Sequence, residues 1–83
     1  MVTRHLPEAL SGLETLSKNL WWCWNESAKS LFESIDPEVW QETNHNPIAL
    51  LDVVSLKKFK SLAKDEVFLG NLKSVLNEFN EYM

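Results

Sequence analysis

Glycine and proline are scarce in this chain, with two and three in 83 residues. Tight hairpins lean on such residues, and no segment alternates apolar and polar residues well enough to read as a strand. A single cysteine, Cys23, excludes an internal disulfide and suits a reducing compartment. No apolar run approaches the roughly 18 residues that a membrane-spanning helix requires. The N-terminus lacks the hydrophobic region of a signal peptide, so the expectation is a cytoplasmic protein without a membrane partner. Positive charge is also lacking: the formal net charge is −4, which disfavours nucleic acid or an anionic membrane as partner. The densest basic run, Lys57, Lys58 and Lys60, reads as the solvated face of a helix. An apolar fraction of 45% argues against disorder. The length suits one domain, near the lower limit for a core that folds unaided.

Tryptophan is abundant instead. Three of the four lie in Asn19-Leu20-Trp21-Trp22-Cys23-Trp24-Asn25. Each ring can bury roughly 150–250 Å², on the order of 4–6 kcal/mol gross before entropy is charged. The core is expected to form around this stretch. On a continuous helix at about 100° per residue, Leu6, Leu10, Leu13, Leu16, Leu20 and Trp24 share one stripe, with Trp21 at its edge. Trp22 falls on the opposite side, with Ser11, Thr15 and Lys18. Packing of all three rings in the core is the plain reading of such a cluster. The sharper expectation is that Trp24 and Trp40 are core and that Trp22 lies at least partly on the surface. Trp22, with Lys18 and Thr15, is the candidate docking or sugar-contact face, since a flat indole can pack against the apolar face of a pyranose.

The pattern along the chain predicts an all-α fold, a compact bundle of five or six helices with no sheet. Met1 to His5 reads as a frayed end and Pro7 as a first-turn residue. Helix one is expected to run to about Trp24, crossing Gly12, where another helix can approach closely or the glycine is simply tolerated. Asn25 caps a helix with Ala28, Leu31, Phe32 and Ile35 on its apolar side. Asp36-Pro37 and Asn46-Pro47 each place a cap before a proline at the first helical position. The segment from Ile48 to about Val54 is apolar almost throughout and is expected to be the most buried short element. Ser55 caps a helix whose Leu56, Phe59, Leu62 and Ala63 face inward. Asp65 caps the last helix, striped by Phe68, Leu69, Leu72, Val75, Leu76, Phe79 and Met83, with Tyr82 at the margin. That stripe reaches Met83 without a stop signal, which reads as a fragment of a longer protein.

Little in the chain points to chemistry of its own. His5, His45 and Cys23 lack metal-ligand spacing. Cys23 is expected to be a buried, inert thiol, and His45 to bond the backbone of its turn. The carboxylates Glu8, Glu14, Glu26 and Glu33 are scattered over helix surfaces, and Gly12 and Gly70 make no phosphate loop. The expectation is a helical module with no catalytic, cofactor-binding or metal-binding residue.

Taken in order, Leu6-Pro7, the Asn19–Asn25 heptapeptide, Leu31-Phe32, Ile35-Asp36-Pro37 with Trp40, and His45-Asn46-Pro47 with Leu50-Leu51 form a specific string. It resembles the helical N-terminal domain of bacterial and archaeal α-glucan (maltodextrin/glycogen) phosphorylases. Cys23 stands where serine is more usual in that family, and Asn44 where glycine is common. The resemblance implies that residues 1–83 are one helical domain at the N-terminus of a larger enzyme. Some such enzymes are fused behind a glycogen synthase. The parent enzyme would cleave α-1,4-glucans with inorganic phosphate, releasing glucose 1-phosphate. It would carry pyridoxal phosphate in two large α/β domains that follow. No catalytic residue carries over onto this chain, and none of its lysines or arginines matches the cofactor lysine.

Three functions compete on this reading. The first is a non-catalytic domain packing on the catalytic domains of the same polypeptide or on a second subunit of a homo-oligomer. The second is an accessory module that binds α-glucan through tryptophan. The third is a free-standing helical adaptor.

Overall fold

The computed structural model describes the backbone of residues 5–82 and the side chains of residues 7–82. The expected frayed segment lies outside this range except for His5, which opens the first helix. Leu6 and Met83, both assigned to apolar stripes, have side chains outside it as well.

Side-chain caps divide the chain. Asn25, Asp36, Asn46, Ser55 and Asp65 each accept a hydrogen bond from a backbone N–H two or three residues on. These bonds satisfy N–H groups that a helix start leaves without partners. The resulting helices are α1 (His5–Lys18), α2 (Glu26–Ile35), α3 (Pro37–Glu42), α4 (Pro47–Val53), α5 (Leu56–Leu62) and α6 (Glu66–Tyr82). A 3-10 turn, Leu20–Trp24, joins α1 to α2. No strand occurs among the described residues, as the scarcity of turn residues and the helical stripes predict.

The helices close a ring: α1 packs on α6, α6 on α2, α2 on α3, α3 on α4, and α4 back on α1, with α5 also against α1. Phe32, Leu13, Leu16, Ile35 and Leu50 fill its centre and are almost wholly buried. Among the described residues the one buried polar residue, Ser17, donates its hydroxyl to the Glu14 carbonyl at 2.8 Å. No buried side-chain N or O atom among the described residues lacks a hydrogen-bond partner. α1 and α6 meet at Gly12, where an added Cβ would lie 2.9 Å from Leu76 Cδ1. The close approach leaves no room for a large side chain at this position.

Between α3 and α4 the chain reverses through two successive left-handed residues, Asn44 (φ 56°) and His45 (φ 58°). Asparagine and histidine are among the residues that adopt this region more readily than others. A glycine at residue 44 would meet the same backbone demand. The His45 ring stacks on Trp40, centroids 5.3 Å apart and planes 22° from parallel. Its backbone N–H bonds the Trp40 carbonyl. The expected side-chain bond to the turn's backbone is replaced by this stacking.

α4 is the most buried of the short helices, with two buried residues, Pro47 and Leu50, to one each in α3 and α5. It is one-sided, however: Ile48 is 52% exposed and Val53 60%. A seven-residue helix in a single ring of helices can bury only its inner side. Leu56 of α5 is likewise exposed, although Phe59 and Ala63 are buried as expected.

The Asn46 cap is a test of this segmentation. Its Oδ1 accepts from both Ile48 and Ala49, at 3.0 and 3.2 Å. Asn46→Ala should cost about 1–2 kcal/mol in a urea melt, and Asn46→Asp much less. Equal midpoints for Asn46→Ala and the parent chain would show that α4 does not depend on this cap.

Candidate functional site

The tryptophan segment is organised by the end of α1. Asn19 is extended (φ −107°, ψ 132°), and its Nδ2 donates to the Thr15 carbonyl at 2.8 Å. That carbonyl would otherwise receive the Asn19 N–H, which instead bonds Leu16 O at 3.4 Å. The helix therefore stops at Lys18, and helix one does not continue to Trp24. The following 3-10 turn advances about 120° per residue, so adjacent rings leave in different directions and residues three apart share a side.

Trp21 turns toward α6, with its ring 5.3 Å from Phe79 and 6.2 Å from Tyr82, centroid to centroid. It is 9% exposed. Trp22 turns toward α2 and α3, meeting Phe32 at 6.2 Å and Trp40 at 6.3 Å, both edge to face. Phe32 and Trp40 are stacked 5.9 Å apart. The turn thus acts as a wedge that sends one ring to each wall. Trp24, three residues beyond Trp21, is carried past the core and is 82% exposed. Its expected core position is incorrect, and so is the place of Leu20 on a buried stripe, for Leu20 is exposed too. Both errors have one cause: the 100° phase of α1 ends at Lys18.

Among the sequence-derived candidates, Lys18 and Thr15 are exposed and Trp22 is half-buried. The Thr15 hydroxyl donates to the Ser11 carbonyl at 2.9 Å. The break at Asn19 removes the helical phase that would have set Trp22 beside Lys18 and Thr15. The aromatic contacts described for Trp22 run to α2 and α3 instead. Trp40 is buried as expected. Cys23 is only half-buried, again because the turn and not the helix sets its direction.

Among the described residues, no three of His, Cys, Asp and Glu converge as metal ligands. The residues do not fit pyridoxal phosphate. A Schiff-base lysine is activated by desolvation, whereas Lys18, Lys57, Lys58, Lys60, Lys64 and Lys73 are all exposed. Lys29 is half-buried and 3.4 Å from Glu26 Oε2. A groove of about 410 Å³ between α1 and the α4–α5 pair is lined by Leu10, Ile48, Leu51, Leu56 and Phe59, with Lys18 on its border. Glu14, Ser17 and Asp52 also line it, so its apolar floor offers packing area, and its carboxylates and Lys18 are charged groups along it. No helix of the described residues is long and apolar enough to cross a membrane.

Comparison with known proteins gives a consistent result. The chain is 42% identical over 82 residues to the glycogen phosphorylase of Mycobacterium tuberculosis (strain ATCC 25618 / H37Rv), covering 99% of this chain and 10% of that protein. It is 49% identical over 72 residues to the glycogen phosphorylase of Aquifex aeolicus (strain VF5), covering 87% of this chain and 10% of that one. The maltodextrin phosphorylase of Thermococcus litoralis is 44% identical over 78 residues, 94% of this chain and 9% of its own length. The chain spans about a tenth of the length of these relatives, and the matched part is their N-terminal region. No solved structure matches it significantly. A family model described as a protein of unknown function, DUF3417, matches residues 6–83, and the chain belongs to that family.

Proposed function

We propose that this chain is the non-catalytic N-terminal domain of an α-1,4-glucan phosphorylase, packing on the catalytic domains of the same polypeptide or on a second subunit. The observation that carries the reading is the match, over nearly the whole chain, to a tenth of each phosphorylase. The parent enzyme would convert glycogen or maltodextrin and phosphate to glucose 1-phosphate in the cytoplasm. Its pyridoxal phosphate would be held by domains other than this one. Lys18, Thr15 and the open edge of Trp22 remain candidates for contact with those domains or with glucan.

The purified 83-residue chain, supplied with maltodextrin, phosphate and pyridoxal phosphate, should release no glucose 1-phosphate. The reading frame should continue past the codon for Met83 into the phosphorylase domains. Release of glucose 1-phosphate by the short chain, or a stop codon immediately after Met83, would overturn the proposal.

A second reading draws on Trp24. A ring this exposed can stack on the apolar face of a pyranose, which makes an accessory glucan-binding role the alternative. Titration with maltoheptaose, followed by tryptophan emission, separates the two, since only a glucan-binding module responds.

A further inference from the structure

We propose that the groove between α1 and the α4–α5 pair is a self-association face, on which a second copy of this chain seats across a two-fold axis. The inference rests on the second-subunit contact of the functional reading, and adds its face and its charge pairing.

The face is continuous. Leu10 and Leu51, half-buried, and Phe59, buried, line one depression of about 410 Å³. Ile48 and Leu56 line it too and are more than half exposed. Hole and knobs therefore share one surface. An isologous interface requires this, because the same patch serves both subunits and must fit itself.

Charge selects the occupant. Glu14, Asp52 and Lys18 line the same groove, so it carries both signs. Glu14 and Lys18 stand one turn apart on α1, in the order that favours an ion pair. Among the described residues, however, the one ion pair is Lys29–Glu26, on α2. All three groove charges are exposed and open to a partner. A wholly basic partner would be repelled by Lys18, and a wholly acidic one by Glu14 and Asp52. A neutral sugar would leave all three without counter-charge. A second copy brings both signs together with matching apolar side chains. With the two-fold axis along the groove, the α1 wall of each copy lies on the α4 wall of the other. Lys18 of each copy then faces Asp52 of the other, and Ile48 of each meets the apolar α1 wall at Leu10.

Sedimentation equilibrium of the 83-residue chain tests the inference. The salt is set at physiological strength, where repulsion between two chains of net charge −4 is screened beyond about 8 Å. From micromolar to millimolar concentration the average mass should rise from that of a monomer to that of a dimer. Ile48→Glu should weaken the pair at least about tenfold, since it places two carboxylates inside the apolar contact. Val67→Glu, at an exposed position on α6, should leave it unchanged. Lys18→Glu and Asp52→Lys should each be monomeric alone, because each sets like charges face to face twice. An equimolar mixture of these two variants should recover a heterodimer, as each chain supplies the charge that the other lacks. Recovery in trans is a result that a merely structural role for either residue would not give. Far-ultraviolet dichroism shows whether each variant keeps its helices.

A chain that stays monomeric throughout that range, a dimer indifferent to Ile48→Glu, or a mixture no heavier than its components would each overturn the inference. If the chain is monomeric and maltoheptaose shields Ile48 and Leu56 from hydroxyl radicals, glucan is the occupant. If only a longer parent polypeptide shields them, its other domains are. The inference falls in both cases. The phosphorylase reading turns on the reading frame and is untouched by either.

Discussion

Trp40→Ala is expected to lower stability by about 3–5 kcal/mol, the cost of emptying a large aromatic site in a core. Trp40 is buried, stacked on Phe32 at 5.9 Å, met edge-on by Trp22 at 6.3 Å and covered by the His45 ring at 5.3 Å. Its removal would leave three rings without a common neighbour. A domain of this size has about 4–12 kcal/mol to lose, so the variant should be partly unfolded at ambient temperature. Trp24→Ala should shift stability by less than about 0.5 kcal/mol, because a surface change away from packed features costs little. Urea melts followed by far-ultraviolet dichroism measure both. A Trp24→Ala midpoint as low as that of Trp40→Ala would put the Trp24 ring in the core and contradict the break in α1.

Gly12→Leu should be clearly damaging. An added Cβ alone would stand 2.9 Å from Leu76 Cδ1 and 3.6 Å from Leu72 Cδ1. The full side chain would force α1 and α6 apart, at a cost of about 1–3 kcal/mol or somewhat more. Gly12→Ala should be nearly neutral. The tip of half-buried Leu76 can swing aside, and alanine gains about 1 kcal/mol of helix propensity over glycine. The mechanism has a specific signature: Leu76→Ala placed in the Gly12→Leu background should recover part of the loss. Additive losses in the double variant would mean that the seam is not where the leucine collides.

Much of this architecture is local and was open to sequence reasoning. Asn25, Asp36, Asn46, Ser55 and Asp65 act as caps because their side chains reach N–H groups two or three residues away, a relation that needs no distant partner. The stripes of α2 and α6 are legible for the same reason, and Phe32, Ile35, Phe68, Leu72, Val75 and Phe79 are buried as their spacing requires. The family resemblance was also carried by local strings and is matched by the relatives.

The candidate surface was read less well. A stripe extrapolated through Asn19 put Trp24 inside and Trp22 outside, and the structure nearly exchanges them. Trp22 and Trp24 carry the same side chain, so composition cannot choose between them. A signal was present in Asn19, whose short amide can cap carbonyls as readily as N–H groups, but a mid-pattern asparagine is ambiguous on its own. α4 shows the same limit, since an apolar helix does not reveal which of its sides meets the ring.

The sequence by itself determined the helices, their caps, the absence of strands among the described residues and the family. Those follow from period, reach and backbone preference within a few residues. Only the tertiary structure decided which tryptophan is exposed, that residue 12 has no room for a large side chain, and that Tyr82 lies beside the 3-10 turn. Each of these depends on α6 arriving against residues more than fifty positions earlier in the chain, as in the Asn25–Glu78 bond. A contact of that span is fixed by how the whole ring closes and not by any one segment.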